Sequence, residues 1–153
     1  MSANTLRQIL RGAAIATAAA TLAVSSIAAE YVSITREAVH MRAGPGTQYS
    51  SMWRLPKGYP LRVQKHQGRW VKVIDVEKDS GWVYAPLTAK RPRYIVQSTI
   101  ANVRSGPGTG YRKVGQASFG EIVRPLSRKG NWVKVSRSQG SNGWISRKLL
   151  WGW

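Results

Sequence analysis

From about Val32 onward, short apolar stretches alternate with polar positions, and turn chemistry interrupts them roughly every ten residues. Leu61 and Val63 alternate with Arg62 and Gln64, and Val71 and Val73 with Trp70, Lys72 and Ile74. A period of two puts successive side chains on opposite faces of a strand. Lys is rarely buried, so the valines predict the core face, and Trp70 shares the open or rim face with Lys72. Gly44-Pro45-Gly46, Pro56-Lys57-Gly58 and Gln67-Gly68 read as turns, because Pro removes a backbone donor and Gly admits positive φ. Asp75 to Ser80 reads as an acidic, solvated loop before a closing strand, Gly81-Trp82-Val83-Tyr84. The pattern predicts an all-β unit of about sixty residues and five short strands, with a marginal core.

The unit is written twice. Arg42-Ala43-Gly44-Pro45-Gly46-Thr47-Gln48-Tyr49 returns as Arg104-Ser105-Gly106-Pro107-Gly108-Thr109-Gly110-Tyr111. Gly68-Arg69-Trp70-Val71-Lys72-Val73 returns as Gly130-Asn131-Trp132-Val133-Lys134-Val135, and Gly81-Trp82-Val83 as Gly143-Trp144-Ile145. The offset is 62 residues at every one of these motifs, so they are two copies of one small fold. Expected boundaries are 31–88 for the first copy, 89–93 for a basic linker (Ala89-Lys90-Arg91-Pro92-Arg93) and 94–153 for the second.

An R-x-G-P-G-T-x-Y turn, a G-x-W-V-K-V strand, then G-W-V followed by a Leu, in that order and twice, resembles the bacterial SH3 (SH3b) module. The resemblance covers nearly all of the chain after residue 31, and the tandem is similar to small exported double-SH3b proteins. It implies two SH3-like β-barrels that bind or target rather than catalyse. It also implies cell-wall peptidoglycan as a common ligand, and a ligand groove bordered by the loop that carries Tyr49 and Tyr111.

Composition changes the picture at three points. Residues 1–29 have Arg7 and Arg11, then an uncharged Ala-rich stretch, then Ser26-Ile27-Ala28 before Ala29-Glu30, the pattern of a secretory signal cut after Ala28 or Ala29. That predicts a periplasmic or secreted protein with no transmembrane segment after cleavage. Second, 24 Lys and Arg face 6 Asp and Glu, a net charge of +18, which predicts polyanionic neighbours. Export makes nucleic acid an unlikely partner in the cell. Third, the chain has no Cys and two His, His40 and His66, without metal-ligand spacing, so neither a cofactor nor a metal is expected. A Ser-His-Asp triad can be assembled on paper from His66 and Asp75, but no nucleophile-elbow spacing supports it, and an enzyme is not expected.

The aromatics are the candidate site. Trp70 and Trp132, each with a Lys two residues on (Lys72, Lys134), suit stacking on a sugar ring beside an anion contact; the alternative is that each Trp covers an open barrel end. Tyr49 and Tyr111 either cap the Gly-Pro-Gly loop or contact ligand. Trp53 has Gly115 at its counterpart position, which points to a fuller aromatic groove in copy one or to a role between copies. Trp82 and Trp144 read as packing residues, and Arg42 and Arg104 as residues that orient the turn. The favoured function is a non-catalytic envelope module engaging peptidoglycan, glycan or stem peptide. The alternatives are a periplasmic protein-interaction scaffold and an electrostatic binder of anionic envelope polymers.

Overall fold

Val71, Val73 and Val83 are the reason the first copy closes: all three are buried, and they meet Val32, Ile34, Val39, Met41, Leu55 and Leu61 in one core. The computed structural model describes residues 28–153; apart from Ala28 and Ala29, the expected export segment lies outside them. Copy one comprises β1 (Tyr31–Ile34), β2 (Val39–Arg42), β3 (Ser51–Leu55), β4 (Pro60–Gln67), β5 (Trp70–Ile74), β6 (Ser80–Tyr84), a single 3₁₀ turn (Ala85–Leu87) and β7 (Thr88–Ala89). Copy two repeats it as β8 (Tyr94–Val96), β9 (Ile100–Arg104), β10 (Lys113–Ser118), β11 (Ile122–Lys129), β12 (Trp132–Ser136), β13 (Gly143–Ser146), a 3₁₀ turn (Arg147–Leu149) and β14 (Leu150–Gly152).

The two antiparallel sheets have the same strand order, β3-β2-β6-β5-β4-β1-β7 and β10-β9-β13-β12-β11-β8-β14. Each copy therefore has seven strands, not the expected five. The additional short strands β7 and β14 pair with β1 and β8 after a 3₁₀ turn has redirected the chain. Equivalent strands also bulge at equivalent places, Val63/Lys65 in β4 and Pro125/Ser127 in β11. A bulge is where a sheet tolerates Pro, so Pro125 stands in a strand without breaking it. The hairpin loop pairs Gln67 with Trp70, so its two residues are Gly68 and Arg69, one position later than the turn chemistry suggested. Gly68 has φ +56°, the left-handed conformation a two-residue hairpin requires.

A third apolar cluster joins the copies. Val76 of copy one meets Ile95 and Trp151 of copy two, with Tyr31, Tyr59 and Ile122 packed around them. The Tyr31 and Trp151 rings meet edge to face at 5.5 Å, and the Trp153 ring lies 5.6 Å from Tyr31 in a tilted arrangement. The Asp75 loop is thus no solvated turn at its start: Asp75 and Val76 are both buried. Desolvation raises the Asp75 carboxyl above its usual range, although its Oδ1 accepts the Glu77 and Asp79 N–H groups at 2.9 Å. The linker is tied down as well, since the buried Ser33 hydroxyl donates to the Arg91 carbonyl at 2.9 Å.

Candidate functional site

The Arg-x-Gly-Pro-Gly turn builds one wall of a groove. Arg42 Nη1 donates to the Tyr49 carbonyl at 2.8 Å and to the Thr47 carbonyl at 3.3 Å, holding residues 45–48 in a fixed loop. Arg104 does the same to the Tyr111 carbonyl at 2.9 Å. The Tyr49 ring lies where a Cβ on Gly44 would have to be, and the Tyr111 ring does so at Gly106. Glycine is required there by close approach.

The opposite wall comes from the outer face of β5 and β6. Antiparallel pairing sets Trp70 across from Tyr84, and their rings lie 5.5 Å apart. The Arg69 guanidinium sits 5.4 Å over the Tyr84 ring, a cation–π geometry. With Val39, His40, Arg42, Pro45 to Gln48 and Leu87, these residues line a groove of about 600 Å³. No acid lines it, so the aromatic surface lies in a positive field. His40 Nδ1 lies 2.6 Å from the Ser51 hydroxyl at its rim.

Copy two has the same groove in smaller form, about 200 Å³, lined by Ile100, Asn102, Arg104, Thr109, Trp132, Ser146, Lys148 and Leu149. Arg104, Thr109, Trp132 and Leu149 stand 62 residues after Arg42, Thr47, Trp70 and Leu87. The difference lies in Tyr84, Arg69 and His40, which become Ser146, Asn131 and Asn102.

The structure brings Trp70 and Trp132 into the grooves and places the other sequence-derived candidates elsewhere. Lys72 and Lys134 lie further along the same strands, across from Trp82 and Trp144. Trp82 is buried between its partners Arg42 and Lys72, with the Lys65 ammonium 5.2 Å over its ring. Tyr49 and Tyr111 are half exposed, each packed on the first Gly of its own turn, and neither lines a groove. Trp53 is 50% exposed on the edge strand β3, outside both the groove and the cluster between copies. Its counterpart Gly115 faces the Arg137 guanidinium. Sequence reasoning missed Tyr84, Arg69, His40 and Leu87. A comparison of positions that differ between the copies would have found the first three.

His66 and Asp75 do not meet. His66 Nε2 lies 3.2 Å from Glu30, and both close contacts of Asp75 are to its own loop. Among the described residues, no three His, Asp or Glu side chains cluster as metal ligands, and no helix is long and apolar enough to cross a membrane.

Two antiparallel barrels, each with a groove between a Gly-Pro-Gly loop and a Trp-bearing strand, define a small-barrel module of the SH3 type. The chain belongs to the bacterial SH3 family: residues 35–90 match one bacterial SH3 domain and residues 99–150 another, in tandem. It is 27% identical over 128 residues to YrvJ of Bacillus subtilis, a protein named as an N-acetylmuramoyl-L-alanine amidase; the match covers 76% of this chain and 24% of YrvJ. It is 39% identical over 64 residues to YgiM of Escherichia coli K12, a protein of uncharacterised role, covering 40% of this chain and 31% of YgiM. The chain thus spans less than a third of these relatives. An NlpC/P60 family protein from Bacillus cereus is similar over 80% of this chain and 56% of its own, at 13% identity and a TM-score of 0.38.

Proposed function

We propose that this protein is a non-catalytic module of the cell envelope, periplasmic or secreted, that binds peptidoglycan through the grooves of its two SH3 domains. The observation that carries the reading is the repeated groove itself, with an indole in one wall and an arginine-held loop in the other. A sugar ring offers a face for Trp70 and Tyr84, and stem-peptide carboxylates complement Arg42 and Arg69. A relative matched over 128 residues of this chain is named for the muramoyl–alanine amide, which supports the wall as the ligand class. The aromatic pair and the larger volume make copy one the principal binder.

The test is co-sedimentation with purified sacculi at low and high salt. Trp70→Ala/Trp132→Ala is expected to weaken binding at least about tenfold, the effect of truncating a buried Trp anchor. Tyr84→Ser carries its own control for folding, because Ser146 already occupies the equivalent position; it should weaken binding in the same direction. Binding that disappears with salt and ignores these substitutions would leave charge alone as the attraction and overturn the groove reading.

A further inference from the structure

The six acidic side chains of the chain are all described, and four of them have a defined partner or a buried role. Glu30 contacts His66 and Lys90, Glu37 accepts the Lys57 backbone N–H, Asp75 holds its own loop, and Glu121 pairs with Arg137 through two short bonds of 2.6 and 2.9 Å. Glu77 and Asp79 lie in the Asp75 loop and do not line the cleft where the linker passes between the copies. That cleft, about 570 Å³ in volume, is lined by Glu37, Lys57, Arg93, Glu121, Arg124 and Arg137 among others. With Glu121 committed to Arg137 and Glu37 to a backbone donor, Arg93 and Arg124 have no carboxylate partner among the described residues.

Arg93 is held in place. Its side chain packs within 4 Å of the position a Cβ on Gly58 would take, and Ile122 lies against the same spot. Partial burial, together with Arg124 and Arg91 close by, lowers the affinity of its guanidinium for the proton. Four basic side chains, Lys57, Arg93, Arg124 and Arg137, face two carboxylates, Glu37 and Glu121, so the recess is net positive and an incoming anion is stabilised there. Arg93 and Arg124 line the cleft from different segments, the linker and β11. Although Arg93 Nη1 donates to the Pro92 carbonyl at 2.8 Å, the remaining guanidinium donors suit an anion with acceptor oxygens in several directions. A phosphate provides that, whereas a carboxylate presents two oxygens in one plane.

We propose that the cleft between the two SH3 domains is an anion site for a phosphate-bearing ligand, with Arg93 and Arg124 as its binding residues. It shares no lining residue with either groove. Failure of peptidoglycan binding and failure of this site are therefore separable.

The test is calorimetric titration of the 153-residue protein with sodium tripolyphosphate at low salt, comparing Arg93→Gln/Arg124→Gln with Arg128→Gln/Lys129→Gln. The second variant removes the same charge from an exposed hairpin. The expected result is saturable binding that weakens about tenfold or more in the cleft variant, which loses both guanidinium contacts, and much less in the hairpin variant. Both variants are checked for native circular dichroism, and Arg124→Gln alone repeats the test with less disturbance to the linker. Equal weakening in the two double variants, or no saturable binding by the wild type, overturns the proposal. Flotation with vesicles of phosphatidylcholine and phosphatidylglycerol identifies the source. Cleft-dependent flotation that tripolyphosphate displaces supports a lipid phosphate, and cleft-dependent titration without flotation supports a soluble one.

Discussion

Asp75 is a carboxylate that the fold buries at 3% exposure to make two backbone bonds, and its position has a measurable consequence. Its affinity for a proton is raised in the folded state, chiefly by desolvation. The stabilisation linked to that shift is therefore fully present below the unfolded pKa and is lost as pH rises through the folded one. Glu30, held low by its hydrogen bonds to His66 and Lys90, has the opposite sign: its stabilisation is lost on acidification. Asp75→Asn keeps an oxygen for both N–H groups and removes the buried charge. Its stability at neutral pH should lie within about 1 kcal/mol of the wild type. As pH falls toward the carboxylate range, the wild type should gain relative to the variant. Urea unfolding at neutral and acid pH measures both. Nothing in the Asp75–Ser80 pattern distinguished this residue from its neighbours Glu77 and Asp79, because burial of a loop position depends on what packs over it.

At the scale of elements, the Gly-Pro-Gly turn is the most legible feature of the chain. Its residue types state their own reasons: Arg42 reaches back to the loop carbonyls, and Gly44 leaves room for the Tyr49 ring. Gly44→Ala places a methyl group inside that ring, and the strain is expected to destabilise copy one by about 1–3 kcal/mol. Because residues 45–48 form a groove wall, sacculus binding should weaken in the same variant under conditions where it remains folded. Denaturant melts and co-sedimentation read the two effects separately. The valine face of β5 and β12 was equally legible, since period-two alternation with Lys admits one orientation. The groove partners of Trp70 were not. Tyr84 and Arg69 reach it by cross-strand pairing and a hairpin turn, and a register is absent from any local pattern.

For the whole molecule, the cluster of Val76, Ile95 and Trp151 makes the tandem one packed body. If both grooves take the proposed peptidoglycan, their fixed relation raises the effective concentration of the second contact, provided the ligand spacing matches. Trp151→Ala opens that cluster. It should destabilise the protein by about 3–5 kcal/mol and turn one cooperative unfolding transition into two, as calorimetry would show. The linker cleft belongs to this scale too, because Lys57, Arg93 and Arg124 come from copy one, the linker and copy two.

By itself, the sequence determined the barrel class, the duplication at an offset of 62, the Gly-Pro-Gly turns and the core face of each central strand. Those follow from side-chain period and from the steric demands of Gly and Pro, which act over a few residues. The tertiary structure alone decided that Trp70 shares a groove with Tyr84 while Trp53 and Lys72 stand apart from it, that Asp75 is buried, and that Arg93 and Arg124 face one cleft. Each of these depends on which distant segments the closing sheets and the packed copies bring together, a choice made by long-range burial.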